Sequence, residues 1–168
     1  MSCIGNIKQG TVIIERGKVY KVYKVKEEQY NGEPQDVMYY KPYFDDPTQN
    51  GLICSIPVNS IREANIRVPS TKKEIKEVLS DLKKQVRLRN ILDAKDAKTA
   101  VNENDIGETV SVIRKFWAEK KKRDTGNLPK SKKDILESAI EQVAQEIAYV
   151  SNTSLEKAYE KVNHALDN

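Results

Sequence analysis

Cysteine, histidine and tryptophan are scarce in this chain of 168 residues, which contains two, one and one of them. Cys3 and Cys54 cannot form a disulfide framework, and neither lies in a Cys-x-x-Cys pair or near the histidine, so no zinc-site spacing exists. Small secreted proteins that depend on disulfides are therefore excluded, and so are domains held together by a metal. The low cysteine content favours a reducing cytoplasm.

Long apolar runs are also absent. The longest purely aliphatic stretch, Val12–Ile14, is far shorter than the roughly 20 residues that a membrane-spanning helix needs. Residues Met1–Gly5 lack the apolar core of a secretory signal. We therefore expect a cytoplasmic protein that is not attached to a membrane.

Motifs of common enzymatic chemistry are missing as well. The sequence has no Gly-x-x-x-x-Gly-Lys phosphate loop and no Gly-x-Gly-x-x-Gly fingerprint. His164 lies in an amphipathic C-terminal segment, which is typical of an ordinary helix histidine and not of a catalytic base. Asp45-Asp46 before Pro47 is typical of a solvated turn. We expect no enzyme, no cofactor, no metal ion and no small-molecule substrate, so binding is the remaining class of function.

Residues 1–69 have the pattern of a small β-rich domain. Five short segments rich in β-branched and aromatic residues are predicted strands: Val12–Ile14, Lys18–Lys26, Val37–Tyr40, Leu52–Ile56 and Ile66–Val68. Alternation in the second segment places Val19 and Val25 on one face and Tyr20 and Val22 on the other. Asn31-Gly32 is a strong signal for a tight turn. A small twisted barrel or curled sheet is expected.

From residue 71 the apolar period changes from two to 3.6, which predicts an all-α domain over residues 70–168. The boundary lies near Val68–Ser70. Capping boxes at Thr71-x-x-Glu74 and Thr153-x-x-Glu156 and a cap at Ser131 mark the starts of three helices. Two further helices are predicted over 92–101 and 105–122. The fold class is therefore α+β, with the helical domain after the β-module.

The small net charge of +4 conceals an uneven distribution. Residues 114–133 contain nine basic side chains and two acidic ones, a balance of +7. Residues 134–168 contain seven acidic side chains and two lysines, a balance of −5. The basic segment is therefore the candidate surface for a negatively charged partner.

The basic segment also contains Trp117, the only tryptophan, directly after Phe116. Neighbouring side chains on a helix point about 100° apart, so both rings cannot lie fully on one narrow buried stripe. One interpretation buries Trp117 beside Ile113 and makes the lysines an ordinary solvated helix end. The other leaves the indole partly exposed at the rim of a basic surface, where it could enter a minor-groove base step while lysines neutralise phosphates.

A set of short segments occurs in a characteristic order along the chain: Lys8–Ile13, Gly17, Val22-x-x-Val25, Tyr30-Asn31-Gly32, Val37–Tyr40, Leu52–Val58, Ile66-Arg67 and Val112–Trp117. With these segments in this order, the chain resembles the CarD/CdnL family of bacterial transcription regulators that bind RNA polymerase. The last segment is similar to the family's Val-Val-Arg-Asp-Leu-Trp. The N-terminal part is also similar to a polymerase-docking module of the transcription-repair coupling factor. Together the segments extend over residues 7–166.

The resemblance implies a Tudor-like β-barrel that binds the polymerase β subunit, through residues expected to be Lys26, Glu28, Tyr30, Ile53 and Ser55. It also implies a helical domain that stabilises the promoter open complex by sequence-nonspecific DNA contacts at the upstream edge of the bubble. There the tryptophan wedges into the minor groove. The implied DNA-binding residues are Trp117, Arg114, Lys115, Lys120, Lys121, Lys122 and Arg123. We expect a monomer.

Two departures from the family pattern stand out. Family members place arginines on the docking strands, where this chain has Lys26–Gln29 and Ile53–Ile56. Glu119 occupies a position where an arginine is common. Two other hypotheses stay open: an adaptor on RNA polymerase that does not contact DNA, and a nucleic-acid binder that acts without polymerase.

Overall fold

The computed structural model describes residues 5–168. Cys3 lies outside the described residues, and so does most of Met1–Gly5, the segment predicted to lack a secretory signal. The described residues form an α+β fold, with four antiparallel strands followed by five α-helices. The chain divides into two compact units between Pro69 and Ser70.

The first unit is built on a curled sheet, half of a barrel, in which each strand pairs with its neighbour in sequence. The strands are β1 (Val12–Glu15), β2 (Lys18–Tyr30), β3 (Glu33–Pro42) and β4 (Cys54–Pro57). Asn31 and Gly32 both have positive φ, 53° and 83°, and their tight turn extends the β2–β3 ladder to Tyr30 and Glu33. The hairpin is longer than predicted because the turn aligns polar residues that have low strand propensity.

The predicted faces of β2 are correct only for its first half. The β2–β3 register shifts between Val22 and Lys24, where β2 has a bulge. The extra residue moves Val25 to the side of Tyr20 and Val22, where it packs on the core cluster. The prediction that Val25 shares a face with Val19 is therefore wrong.

The predicted fifth strand, Ile66–Val68, is reduced to one bridge. Ile14 and Arg67 exchange both backbone hydrogen bonds, at 2.8 and 3.0 Å. Asn65 on one side is left-handed, with a φ of 54°, and Pro69 on the other has no N–H with which to continue a ladder. Ile66 nevertheless reaches the core cluster.

The second unit consists of five helices, one of which packs against the other four. They are α1 (Lys72–Lys83), α2 (Ala94–Asn102), α3 (Ile106–Lys122), α4 (Lys130–Ser151) and α5 (Leu155–Asp167). Helix α4 packs against each of the other four, and the run Val143–Ala148 is buried on every side. Glu146 in that run accepts hydrogen bonds from the N–H, at 2.8 Å, and the hydroxyl of Ser70. The first residue of the unit is thereby fixed to its central helix.

The three predicted helix caps differ in outcome. The Thr71–Glu74 capping box is present in full. Helix α4 begins at Lys130 after Pro129, so the predicted cap Ser131 is wrong: it already lies inside the helix. The predicted cap Thr153 is also wrong, because its N–H donates to Ala148 O and closes α4 in a Schellman motif. Ser154 caps α5 in its place.

Candidate nucleic-acid interface

Helix α3 positions the candidate tryptophan. Asp105 caps the helix by accepting a hydrogen bond from Glu108 N–H, and Val110 and Ile113 are buried. Phe116, which is 1% exposed, takes the next core position. Trp117, one residue further around the helix, is consequently half-buried at the margin of the core.

The indole of Trp117 contacts a lysine through its ring face, but its N–H has no hydrogen-bond partner among the described residues. The Lys120 ammonium lies over its ring, 5.0 Å from the ring centroid, which is a cation–π geometry. Its Nε1–H is buried and has no hydrogen-bond partner among residues 5–168. A buried donor left unpaired costs about 1–3 kcal/mol.

A groove of about 260 Å³ lies beside Trp117. Besides Trp117, its lining includes the apolar side chains Leu82, Val86, Ala118 and Leu166 and the uncharged polar residues Gln85 and Asn168. Its cationic side chains come from two elements: Lys83 and Lys84 at the end of α1, and Arg114, Lys121 and Lys122 on α3. Within the described part of the chain, no acidic side chain lines it. The groove thus combines apolar and cationic side chains.

Sequence reasoning missed the α1 contribution to this groove. Residues 71–113 are nearly neutral as a whole, so their charge balance drew no attention to Lys83 and Lys84. The signal that could have found them is the position of Lys83-Lys84 directly at the end of the α1 apolar stripe. Lys84 also forms an exposed ion pair with Asp81, at 2.7 Å, which solvent screens.

The predicted DNA-binding residues do not all lie together. Arg114, Trp117, Lys121 and Lys122 line the groove, and the Nε–H of Arg114 donates to Lys84 O at 3.3 Å. Three predicted residues are not among the groove lining: Lys115 is exposed, Lys120 covers the indole, and Arg123 lies 4.0 Å from a Glu119 carboxylate oxygen.

Not all of the basic segment's charge is available to a partner. Lys132 is buried, and its Nζ lies 2.7 Å from Glu119 Oε1. Its ammonium is also 5.6 Å from the centroid of the Phe116 ring. Glu119 and Lys132 thus neutralise each other inside the unit. The pair leaves the balance of +7 unchanged, but it reduces the basic side chains available to a partner from nine to eight.

The predicted polymerase-docking residues lie on or beside the sheet. Lys26 and Glu28 on β2 form an ion pair at 3.0 Å, and the Tyr39 hydroxyl of β3 donates to Glu28. The hydrogen bond from Tyr39, followed by the one from Lys26, lowers the pKa of Glu28 below its ordinary value. Ser55 on β4 pairs with Tyr39. Tyr39, which sequence reasoning did not select, therefore links these residues.

The two remaining docking candidates are exposed. Tyr30 lies at the end of the hairpin and is 45% exposed, and Ile53, directly before β4, is 61% exposed. Among the described residues, β4 pairs only with β3, so it forms one edge of the sheet. The five docking candidates thus mark the distal half of the β2–β3 hairpin and the β4 edge.

Other features of the described residues suggest no chemistry of their own. No group of three or more His, Cys, Asp or Glu side chains in residues 5–168 could hold a metal ion. Within the same range, no helix is both long and apolar enough to cross a membrane. Asp46 caps the short turn Pro47–Gln49 by accepting from Thr48 N–H at 2.8 Å, in agreement with the predicted solvated turn.

Comparison with known proteins adds no assignment. No family model matches the chain, and no curated protein is significantly similar to it.

Proposed function

We propose that this chain is a bacterial transcription regulator that docks on the β subunit of RNA polymerase and stabilises the promoter open complex. The observation that carries the proposal is the half-buried Trp117 in a groove lined by apolar and cationic side chains. This arrangement has the chemistry of a minor-groove wedge flanked by phosphate contacts. The resemblance to CarD/CdnL proteins over residues 7–166 supports the same assignment.

The helical unit acts on DNA without reading its sequence. Lysine ammonium groups neutralise phosphates as point charges, and lysine outnumbers arginine 22 to 7 in this chain. An indole that enters a base step favours DNA that is already unstacked, so opened DNA is bound better than closed duplex. Only this difference in affinity can shift the equilibrium toward the open complex. A difference of about 1.4 kcal/mol shifts it tenfold.

The β unit supplies recruitment. It is a Tudor-like module in this proposal, and its β4 edge and distal hairpin carry the docking residues Lys26, Glu28, Tyr30, Ile53 and Ser55. An exposed sheet edge can add a strand from a partner by backbone hydrogen bonding. Docking raises the effective concentration of the helical unit at the promoter, so the DNA contacts can each be weak. The role is binding, not catalysis, and needs no cofactor.

The test is the lifetime of promoter open complexes formed by the RNA polymerase of the source organism. Wild-type protein is expected to lengthen the lifetime, and Trp117→Ala is expected to lose most of that effect while still binding polymerase. Ile91→Ala is the matched control, because Ile91 is a large apolar side chain in the same unit that is 69% exposed and does not line the groove. Equal lifetimes with wild-type and folded Trp117→Ala protein would exclude the wedge.

A second candidate is an adaptor that binds RNA polymerase through the β unit and another protein through the helical unit. The observation that favours it is the exposure of two apolar side chains directly before β4, Leu52 and Ile53, which are suited to protein contact. The adaptor predicts that polymerase is retained on the immobilised chain, whereas promoter DNA gains no additional protection from nuclease.

A further inference from the structure

The groove beside Trp117 has two walls from different helices. Helix α3 provides Arg114, Lys121 and Lys122, and the end of α1 provides Lys83 and Lys84. The family resemblance assigns a DNA role only to the α3 side. The α1 wall therefore requires its own explanation.

The α1 wall is attached directly to α3. The Arg114 Nε–H donates to the backbone oxygen of Lys84, at 3.3 Å, just where α1 has ended at Lys83. Lys84 N–H in turn donates to Asp81 O, which closes the last turn of α1. The carbonyl that Arg114 holds belongs to a lysine whose side chain is 62% exposed. The spacing between the two cationic walls is thereby fixed by a contact inside the unit.

A side chain that wedges into the minor groove lies between two phosphate chains. The minor groove of B-DNA is about 6 Å wide and is bordered by two phosphate chains. A side chain that enters it therefore brings its immediate neighbours close to both strands. Lys121 and Lys122 belong to α3, the helix that carries Trp117, whereas Lys83 and Lys84 come from the end of α1.

We propose that Lys83 and Lys84 are DNA-backbone-binding residues that contact one phosphate chain while the α3 lysines contact the other. Arg114 is the positioning residue that keeps the two walls together. This inference rests on the proposed function, because it concerns the same groove. It identifies the ligand of the groove as a phosphodiester backbone. It also extends the DNA interface to lysines from two helices, Lys83 and Lys84 on one side and Lys121 and Lys122 on the other, and this arrangement is called the clamp below. Charge complementarity supports it, since five cationic side chains and no Asp or Glu side chain of the described residues line the groove, although Lys84 also pairs with Asp81 at its edge.

The clamp is tested by the salt dependence of DNA binding. Each phosphate contact to duplex DNA contributes about 0.9 to the slope of log affinity against log salt concentration. The full chain is titrated onto a fluorescein-labelled forked duplex at several KCl concentrations from 25 mM upward. Lys83→Ser/Lys84→Ser is expected to lower the slope by about 1.8 and the affinity at low salt by more than tenfold.

The same helix offers a matched control. Lys72 and Lys73 form an exposed lysine pair at the opposite end of α1, about 16 Å away along the helix axis, and do not line the groove. Lys72→Ser/Lys73→Ser changes the net charge equally and is expected to retain the wild-type slope. Circular dichroism melting confirms the fold of each variant. If the double variant does not fold, Lys83→Gln alone is expected to lower the slope by about 0.9.

Three results would overturn the clamp. The first is an equal slope for the Lys83/Lys84 variant and the Lys72/Lys73 control. The second is no measurable binding of wild-type protein to the fork at 25 mM KCl. The third is binding of a polyglutamate peptide with the same dependence on Lys83 and Lys84, because the groove would then recognise acidic protein. If Trp117→Ala shortens the lifetime of the open complex but the Lys83/Lys84 variant keeps the wild-type salt slope, the clamp is excluded and the proposed function is retained.

Discussion

Lys132 Nζ lies 2.7 Å from Glu119 Oε1, and both side chains are buried between α3 and α4. The pair lies two helix positions from Trp117, and Lys132 also contacts the face of Phe116. Its charges are consequently structural. They hold the helix that carries the candidate wedge against the central helix of the unit.

Breaking this pair from one side should destabilise the helical unit strongly. Glu119→Ala leaves the Lys132 ammonium buried and unpaired, and the expected loss is about 3–5 kcal/mol in the free energy of unfolding. The double variant Glu119→Leu/Lys132→Met should lose much less, because no charge is left without a partner. Urea denaturation followed by circular dichroism measures both.

The exposed Lys84–Asp81 pair is the control for that prediction. Its N–O distance is also 2.7 Å, but the two side chains are 62% and 45% exposed. Asp81→Asn should therefore change the free energy of unfolding by less than about 1 kcal/mol. A loss for Glu119→Ala as small as the loss for Asp81→Asn would contradict the structural role of the buried pair.

Trp117 provides its own optical probe, because it is the only tryptophan. Its half-buried indole should be partly protected from acrylamide quenching in the free protein. Binding to forked DNA should change the emission strongly, since an indole stacked against bases leaves its contact with Lys120. Fluorescence titration measures this change. Unchanged emission at concentrations where anisotropy shows a complex would mean that Trp117 stays against the protein.

The sequence predicted the elements of the fold better than their details. The 3.6-residue period and the Thr71–Glu74 capping box predicted α1 correctly, since both signals are local. Thr153 shows the limit of such motifs. It satisfies the same pattern, but its N–H serves the end of the preceding helix, and this competition depends on where α4 terminates. The bulge after Val22 likewise depends on pairing with β3, which the strand pattern of β2 does not contain.

The candidate site was predictable in part for similar reasons. The 100° step between Phe116 and Trp117 showed that one ring must leave the core stripe, but only packing shows that Phe116 is the buried one. Lys132 counted as a surface charge until its distance to Glu119 was known. Lys83 and Lys84 approach α3 only through tertiary structure. Lys84 and Arg114, which are in contact, are 30 positions apart in the sequence.

Two buried tyrosines should make the β unit sensitive to alkaline pH. Burial, followed by the hydrogen bond to Glu15, raises the pKa of Tyr40, and burial also raises the pKa of Tyr20. A raised pKa means that the folded state keeps a proton which the unfolded state loses above pH 10. Stability is therefore fully present below pH 10 and falls as pH rises above it. Urea midpoints at pH 8 and pH 11 measure the fall.

Tyr40→Phe is the variant that isolates this effect. It removes one titrating phenol and the 2.8 Å hydrogen bond to Glu15. The variant should be less stable at pH 8 by about 1 kcal/mol. It should also lose less stability than wild type between pH 8 and pH 11. Equal losses in the two proteins would show that Tyr40 does not carry the alkaline sensitivity.

The β4 edge can be separated from the DNA groove by two exposed isoleucines. Ile53, directly before β4, is 61% exposed, and Ile91, in the connection between α1 and α2, is 69% exposed. Neither substitution by aspartate should change the free energy of unfolding by more than about 0.5 kcal/mol, since both side chains are largely solvated. Ile53→Asp places a charge in the proposed docking surface and should lower retention of RNA polymerase on the immobilised chain at least tenfold. Ile91→Asp should retain polymerase as wild type does, and equal retention by both variants would exclude the β4 edge as the docking surface.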